Sequence, residues 1–170
     1  DVMLHFGTLM AILAVYGKRF VEICLDGIRD LFHRKIKDNL LLKIIVATCP
    51  AAVAGLLLKD FIELYLRTPY ACTIGLFAVS ILMVVAERIF VSGRTLSYPL
   101  ALALGCAQAL ALMPGTSRSG ITITIALLLG LKRTQAVDFS FLMAVPIILG
   151  SALHEAKYLK ERLEGYAARK

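Results

Sequence analysis

"ALMPGTSRSGITITIALLLG", residues 111–130, decides how this chain is read. Pro114, Gly115 and Gly120, an arginine at 118 and hydroxyl residues at 116, 117, 119 and 122 interrupt an otherwise oily run. Apolar sequence lies on both sides. As helices, residues 100–113 would be about 21 Å long and residues 121–131 about 16 Å. Neither crosses a hydrocarbon core of roughly 30 Å alone. The two segments therefore read as half-helices meeting at membrane depth, in a re-entrant hairpin or in one broken span. Irregular backbone is tolerated there only where protein buries it or a watery cavity reaches it. An arginine near the bilayer centre costs roughly 2.5–3.5 kcal/mol on insertion scales, so Arg118 calls for a partner.

The rest of the chain supports a membrane setting. Of its 170 residues 59% are hydrophobic, mean hydropathy is +0.78, and there is no Trp. Apolar residues come in blocks rather than at amphipathic spacing, and no alternating pattern suggests a barrel. Spanning helices satisfy their own backbone, so the fold class expected is all-α: one polytopic helical membrane bundle over residues 1–170. A short apolar run ends at Tyr16, and a charged stretch, 17–39, reads as one or two interfacial helices. Spans follow over 40–58 and 70–87, then the interrupted pair, then a last apolar helix containing Pro146. Lys43 is placed to snorkel near a span end. Ala47, Ala51 and Gly55 form one small-residue stripe for close helix contact, and Ala101, Gly105 and Ala109 form another.

The net charge of +7 is concentrated, with Lys18, Arg19, Arg29, Arg34, Lys35 and Lys37 in a single connection. Because that patch flanks spans, it marks the cytoplasmic side rather than a nucleic-acid surface. The cysteines at 24, 49, 72 and 106 are scattered and suggest neither disulfides nor zinc. The apolar run at the start is too short to span, so the sequence reads as an internal piece of a longer protein.

The interrupting residues share one chemistry: they donate. Gly115 and Gly120 let backbone amides turn towards a ligand. The half-helix that begins near Gly120 offers free N–H groups and the positive end of its dipole. Thr116, Ser117, Ser119 and Thr122 add hydroxyls, and Arg118 adds a planar fork that matches two phosphate oxygens. Pro-Gly with Ser and Thr is also ordinary loop chemistry. Set between two half-length apolar helices, however, it reads as a phosphate cradle.

At this point the sequence resembles a known family. "GCAQALALMPGTSRSGITIT" is similar to the second signature motif of undecaprenyl pyrophosphate phosphatases, a family also named for bacitracin resistance. Pro114, Gly115, Ser117, Arg118, Ser119 and Thr122 match its P-G-x-S-R-S-x-x-T pattern. The "DFSFLMAVP" that follows, "AER" at 86–88 and "HFGTLMAILAVY" near the start also look like that family. The resemblance implies an enzyme of the bacterial inner membrane with an inverted repeat and two re-entrant loops. Such an enzyme hydrolyses undecaprenyl diphosphate to undecaprenyl phosphate, the lipid carrier of cell-wall precursors, at a periplasm-facing site.

By that resemblance Arg118 and Ser117 are catalytic, and Gly115, Thr116, Ser119, Gly120 and Thr122 bind the substrate phosphates. A divalent cation, magnesium or calcium, is implied with its ligands outside this chain. The family's paired glutamates and its Ser-Ser-Thr-Gly-His loop do not occur in this sequence. A polyprenyl diphosphate and membrane lipids are the expected partners, nucleic acid is not, and a homodimer stays open. The rival reading is a transporter or flippase for lipid phosphates or anions, since broken helices aimed at anions occur there too.

Other polar residues carry smaller expectations. Gln108 is expected to hydrogen-bond a neighbouring helix or the loop. Asp138 reads as a first-turn acid of the last helix with Thr134 as its N-cap, and could also steady Arg118. Glu87 reads as a residue of the membrane surface. His5, His33 and His154 lack metal-ligand spacing and read as packed or surface residues.

Overall fold

The computed structural model describes residues 2–34, 38–66, 68–89 and 93–167, with side chains left out at 2–6, 59, 60, 63 and 153–167. It is all-α. Helices α1 (Val2–Phe32), α2 (Leu40–Phe61), α3 (Pro69–Ile89), α4 (Tyr98–Leu110), α5 (Arg118–Leu128) and α6 (Arg133–Ala167) follow in order, with a π-helical turn Ile62–Leu66 after α2. Among the described residues there is no strand, only an isolated bridge between Arg94 and Leu131.

Among the described residues, three helical segments are long and apolar enough to cross a membrane: Leu40–Leu58, Pro69–Ile89 and Arg133–Ala152. Their outward residues, such as Leu56, Leu57, Phe77 and Ile81, are well exposed, as expected where the solvent is lipid. The protein is thus an integral membrane protein.

The first expectation to change is α1. It runs unbroken through Tyr16 into the charged stretch and does not give way to a separate interfacial helix. Composition shifts there from apolar to charged, but Gly17 alone does not end a helix. Tyr16, Phe20 and Ile23 keep one face of α1 against the core. At Gly27 the same helix meets the start of α2, where the Asn39 side-chain amide donates to the Gly27 carbonyl (2.8 Å). The Asn39 Oδ1 accepts from the Leu42 amide (3.1 Å), which starts α2. His33, near the end of this stretch, is exposed, whereas the side chains of His5 and His154 lie outside the described residues.

The two small-residue stripes pack on each other. A Cβ on Gly105 would run into the Ala47 carbonyl, so α2 and α4 touch backbone to backbone. One on Gly55 would sit 4.0 Å from Leu112, which makes the two helices parallel. Lys43 is buried along its stem, and its ammonium reaches both Asp38 (3.9 Å) and the Tyr98 ring (5.7 Å) at the helix starts. The central core joins Ile44 and Ala47 to Leu104, Ala126, Phe139 and Met143.

The outer ends of α4 and α5 settle the choice between hairpin and broken span. The amides of Gly93 and Arg94, just before α4, donate to the Gly130 carbonyl just after α5 (3.1 and 3.0 Å). The chain therefore enters and leaves on the same face, as a re-entrant hairpin. Its tip packs on the beginning of α3: Gly115 lies against the Cys72 backbone, and a Cβ on Gly75 would be 2.8 Å from the Pro114 carbonyl. Those α3 residues lie within about 9 Å of its Pro69 end, in a helix about 31 Å long. The tip is well off-centre, towards the face where α2 ends.

Helix α6 holds the bundle together. Arg133 forms a two-pronged ion pair with Glu87 of α3 (2.7 and 2.6 Å). Asp138 accepts from the Tyr16 hydroxyl (3.1 Å) and from Arg19 (2.7 Å), tying α6 to α1. Asp138 therefore does not steady Arg118. Thr134 is not the cap either: the helix starts at Arg133, and the Ala136 amide bonds the Lys132 carbonyl (2.9 Å).

Candidate active site

Residues 111–117 form the hairpin tip. Tight turns carry α4 onwards: the amides of Ala111, Leu112 and Met113 donate to the carbonyls of Gln108, Ala109 and Leu110 (3.1 Å each). The chain then reverses at Gly115, whose φ of +82° is a left-handed value that residues with a Cβ resist. The Cys72 backbone beside it leaves no room for a side chain in any case. Gly75 on α3 is the counterpart that the sequence analysis did not single out. A lone glycine inside an apolar span was the available signal for a close backbone approach.

Ser117 is the N-cap of α5, its Oγ accepting from the Gly120 amide (3.2 Å). In the first turn of a helix the leading amides have no carbonyl to reach. Here the amides of Gly115, Ser117, Arg118 and Ser119 bond to none of the described groups. The Arg118 guanidinium is half-buried and has no hydrogen bond or ion pair with any described residue, and the Ser119 hydroxyl is likewise unengaged. One cation, one or two hydroxyls and several amides thus surround the N-terminal end of α5, where its dipole is positive.

Three residues expected in the cradle turn their polar groups to the protein instead. The Thr116 hydroxyl donates to the Met113 carbonyl (2.6 Å). Gly120 spends its amide on Ser117, and a Cβ there would meet the Ser117 side chain at 3.0 Å. Thr122 is buried; its hydroxyl lies 2.8 Å from the Arg118 carbonyl and also pairs with Ser140 of α6. Thr122 thus braces the turn that carries Arg118. Ser140 escaped the sequence reading because a serine in an apolar helix gives no sign of its partner.

Gln108 departs furthest from expectation. It is 2% exposed, yet neither side-chain amide atom has a hydrogen-bond partner.

The donor set answers the question of a cation. A divalent metal needs oxygen ligands, chiefly carboxylates. Glu87 is committed to Arg133 and Asp138 to Arg19, and no cluster of three metal-binding side chains occurs among the described residues. These residues suit an anion and do not by themselves fit a divalent cation. A cavity of about 360 Å³ lies elsewhere, beside Met83, Ile123, Leu127 and Val137 and next to the Glu87–Arg133 pair. It is apolar and at the far end of α5 from Arg118, so it is separate from the cradle.

Fold and site together define a class: a helical integral membrane protein with a re-entrant hairpin whose tip presents hydrogen-bond donors that have no partner among the described residues. The model of the family described as bacitracin resistance protein BacA matches residues 1–168, and the chain belongs to that family. It is similar to the undecaprenyl-diphosphatase of Elusimicrobium minutum, 39% identical over 158 residues that cover 92% of this chain and 60% of that protein. The corresponding protein of Alcanivorax borkumensis is 41% identical over 168 residues, covering 95% of this chain and 63% of its own. For that of Thermodesulfovibrio yellowstonii the figures are 42% over 156 residues, 90% and 56%. The chain therefore spans about 60% of the length of the relatives it matches.

Proposed function

We propose that this protein hydrolyses undecaprenyl diphosphate to undecaprenyl phosphate and phosphate, and that the chain contributes the grip on the phosphates. The observation that carries this reading is the half-buried Arg118 guanidinium, unpaired beside free amides at the start of α5. Phosphoryl transfer is chiefly positioning and charge neutralisation, which such preorganised donors supply. A planar fork can hold two oxygens of one phosphate, while the amides of the helix start and the Ser117 and Ser119 hydroxyls take others. Relatives named undecaprenyl-diphosphatase support the substrate, and none of those named above supports the transporter alternative.

The setting proposed is the bacterial inner membrane, crossed several times. With the basic 17–39 stretch on the cytoplasmic side, α2 runs outwards and the hairpin tip lies towards the outer face. The site then opens to the periplasm. A divalent cation, if the reaction uses one, takes its ligands from residues outside this chain.

The test uses full-length protein in detergent micelles, where no compartments exist. Release of one phosphate per undecaprenyl diphosphate, with undecaprenyl phosphate as the lipid product, is the expected result. A transporter has nothing to move in micelles and releases none, and that result would refute the proposal.

A further inference from the structure

Among the described residues six polar or charged side chains are buried: Asn39, Lys43, Gln108, Thr122, Thr124 and Ser140. Five are engaged. Asn39 bonds Gly27 and Leu42, Lys43 reaches Asp38, Thr124 donates to the Gly120 carbonyl (2.6 Å), and Thr122 and Ser140 bond each other. Of these six, Gln108 alone lacks a partner, at both of its amide atoms.

Buried polar groups are nearly always satisfied, because leaving one unmade forfeits its hydration for nothing. A leucine or methionine at 108 would avoid that penalty, and the neighbouring positions 104, 107 and 112 are Leu, Ala and Leu. An amide kept here against the interest of the fold points to a partner that arrives from outside it.

Where Gln108 sits narrows the partner. It is two residues before the end of α4 at Leu110, on one arm of the hairpin whose other arm starts at Arg118. In an antiparallel hairpin those two positions lie within about a turn of the same depth. Arg118 can only donate. Gln108 presents an acceptor and a donor side by side, and its complement is an O–H group. A metal ion would use the carbonyl and leave the NH₂ unpaired.

Resting on the phosphatase reading above, we infer that Gln108 is a further ligand-binding residue of the cradle, and that it takes an O–H group. Two sources supply that chemistry: a protonated oxygen of the substrate's terminal phosphate, or a water molecule held against that phosphate. In either case the residue weakens the empty protein in favour of the loaded one.

Replacement by an apolar side chain of like size separates this from a structural role. In full-length Gln108→Met, without substrate, Tm should rise by about 2–4 °C because the unpaired amide is gone. Turnover of undecaprenyl diphosphate should fall about tenfold. If the partner is a phosphate hydroxyl, the loss falls on KM, and the inhibition constant of inorganic pyrophosphate rises with it. If it is water, the loss falls on kcat at unchanged KM. Turnover and KM within twofold of wild type would overturn the inference, and so would a lowered Tm or failure to fold in both Gln108→Met and Gln108→Leu. Failure of the phosphatase reading looks different, because then the wild type itself releases no phosphate from undecaprenyl diphosphate.

Discussion

Arg118 and Arg133 each begin a helix, α5 and α6, yet they live in opposite circumstances. Arg133 is half-exposed and grips Glu87 with both prongs of its guanidinium. Arg118 is more enclosed, beside the hairpin tip, and its guanidinium grips no described residue. At the α6 end charges come in pairs, with Asp138 and Arg19 as the second example. At the α5 end donors gather with nothing to receive them. A surface pair contributes little to folding and asks for no ligand. An unpaired cation among free amides is costly to keep and has a use only when an anion comes. The contrast separates the residues that join helices from those that the proposed function assigns to substrate.

If this contrast is right, disturbing the α5 end should cost function and disturbing the α6 end should cost little. The largest effect is expected from Gly115→Val. Its left-handed backbone and the Cys72 backbone alongside both exclude a β-branched side chain, so the tip must shift. Turnover should fall at least about 100-fold while the protein still inserts in the membrane. Phosphate release per membrane-extracted molecule measures this, and unchanged turnover would make the tip a mere connector.

Thr122→Val should come next. It keeps the shape but removes the hydroxyl that joins the Arg118 carbonyl to Ser140, leaving a buried serine unmatched. A stability loss of about 1–3 kcal/mol is expected, with a several-fold fall in kcat/KM, read by denaturation and steady-state kinetics together. A Thr122 that instead bound phosphate directly would show the kinetic loss without the stability loss.

Glu87→Gln should do least. An exposed ion pair contributes little to stability, so Tm should move by a few degrees at most, and kcat/KM should stay within twofold. A large kinetic effect there would mean that the α6 end belongs to the active site after all.

Much of this could be read in advance, for physical reasons that differ by residue. The break at 114–120 was legible because Pro, Gly and an arginine in an apolar run violate the rules of a spanning helix. That α2 and α4 each carry a face for close helix contact was legible because Ala47 and Ala51, and Ala101 and Gly105, recur every four residues; that the two faces meet each other was not. Hairpin or broken span was not legible, since it depends on Gly93 and Arg94 meeting Gly130, a pairing that leaves no local trace. The unbroken α1 was missed because a change from apolar to charged composition resembles a boundary when no breaker is present. Which hydroxyls face a ligand depends on helical phase against α6, so Thr122 looked like Ser119 until Ser140 was placed beside it.

The account rests on Arg118 meeting substrate through its fork, and one measurement addresses that directly. In full-length Arg118→Lys the charge remains but the two-pronged geometry is lost. We expect kcat/KM for undecaprenyl diphosphate to fall about 100-fold or more, with Tm unchanged because the Arg118 guanidinium bonds to none of the described residues. Near-normal kcat/KM in that variant would contradict the account and remove Arg118 from the substrate site.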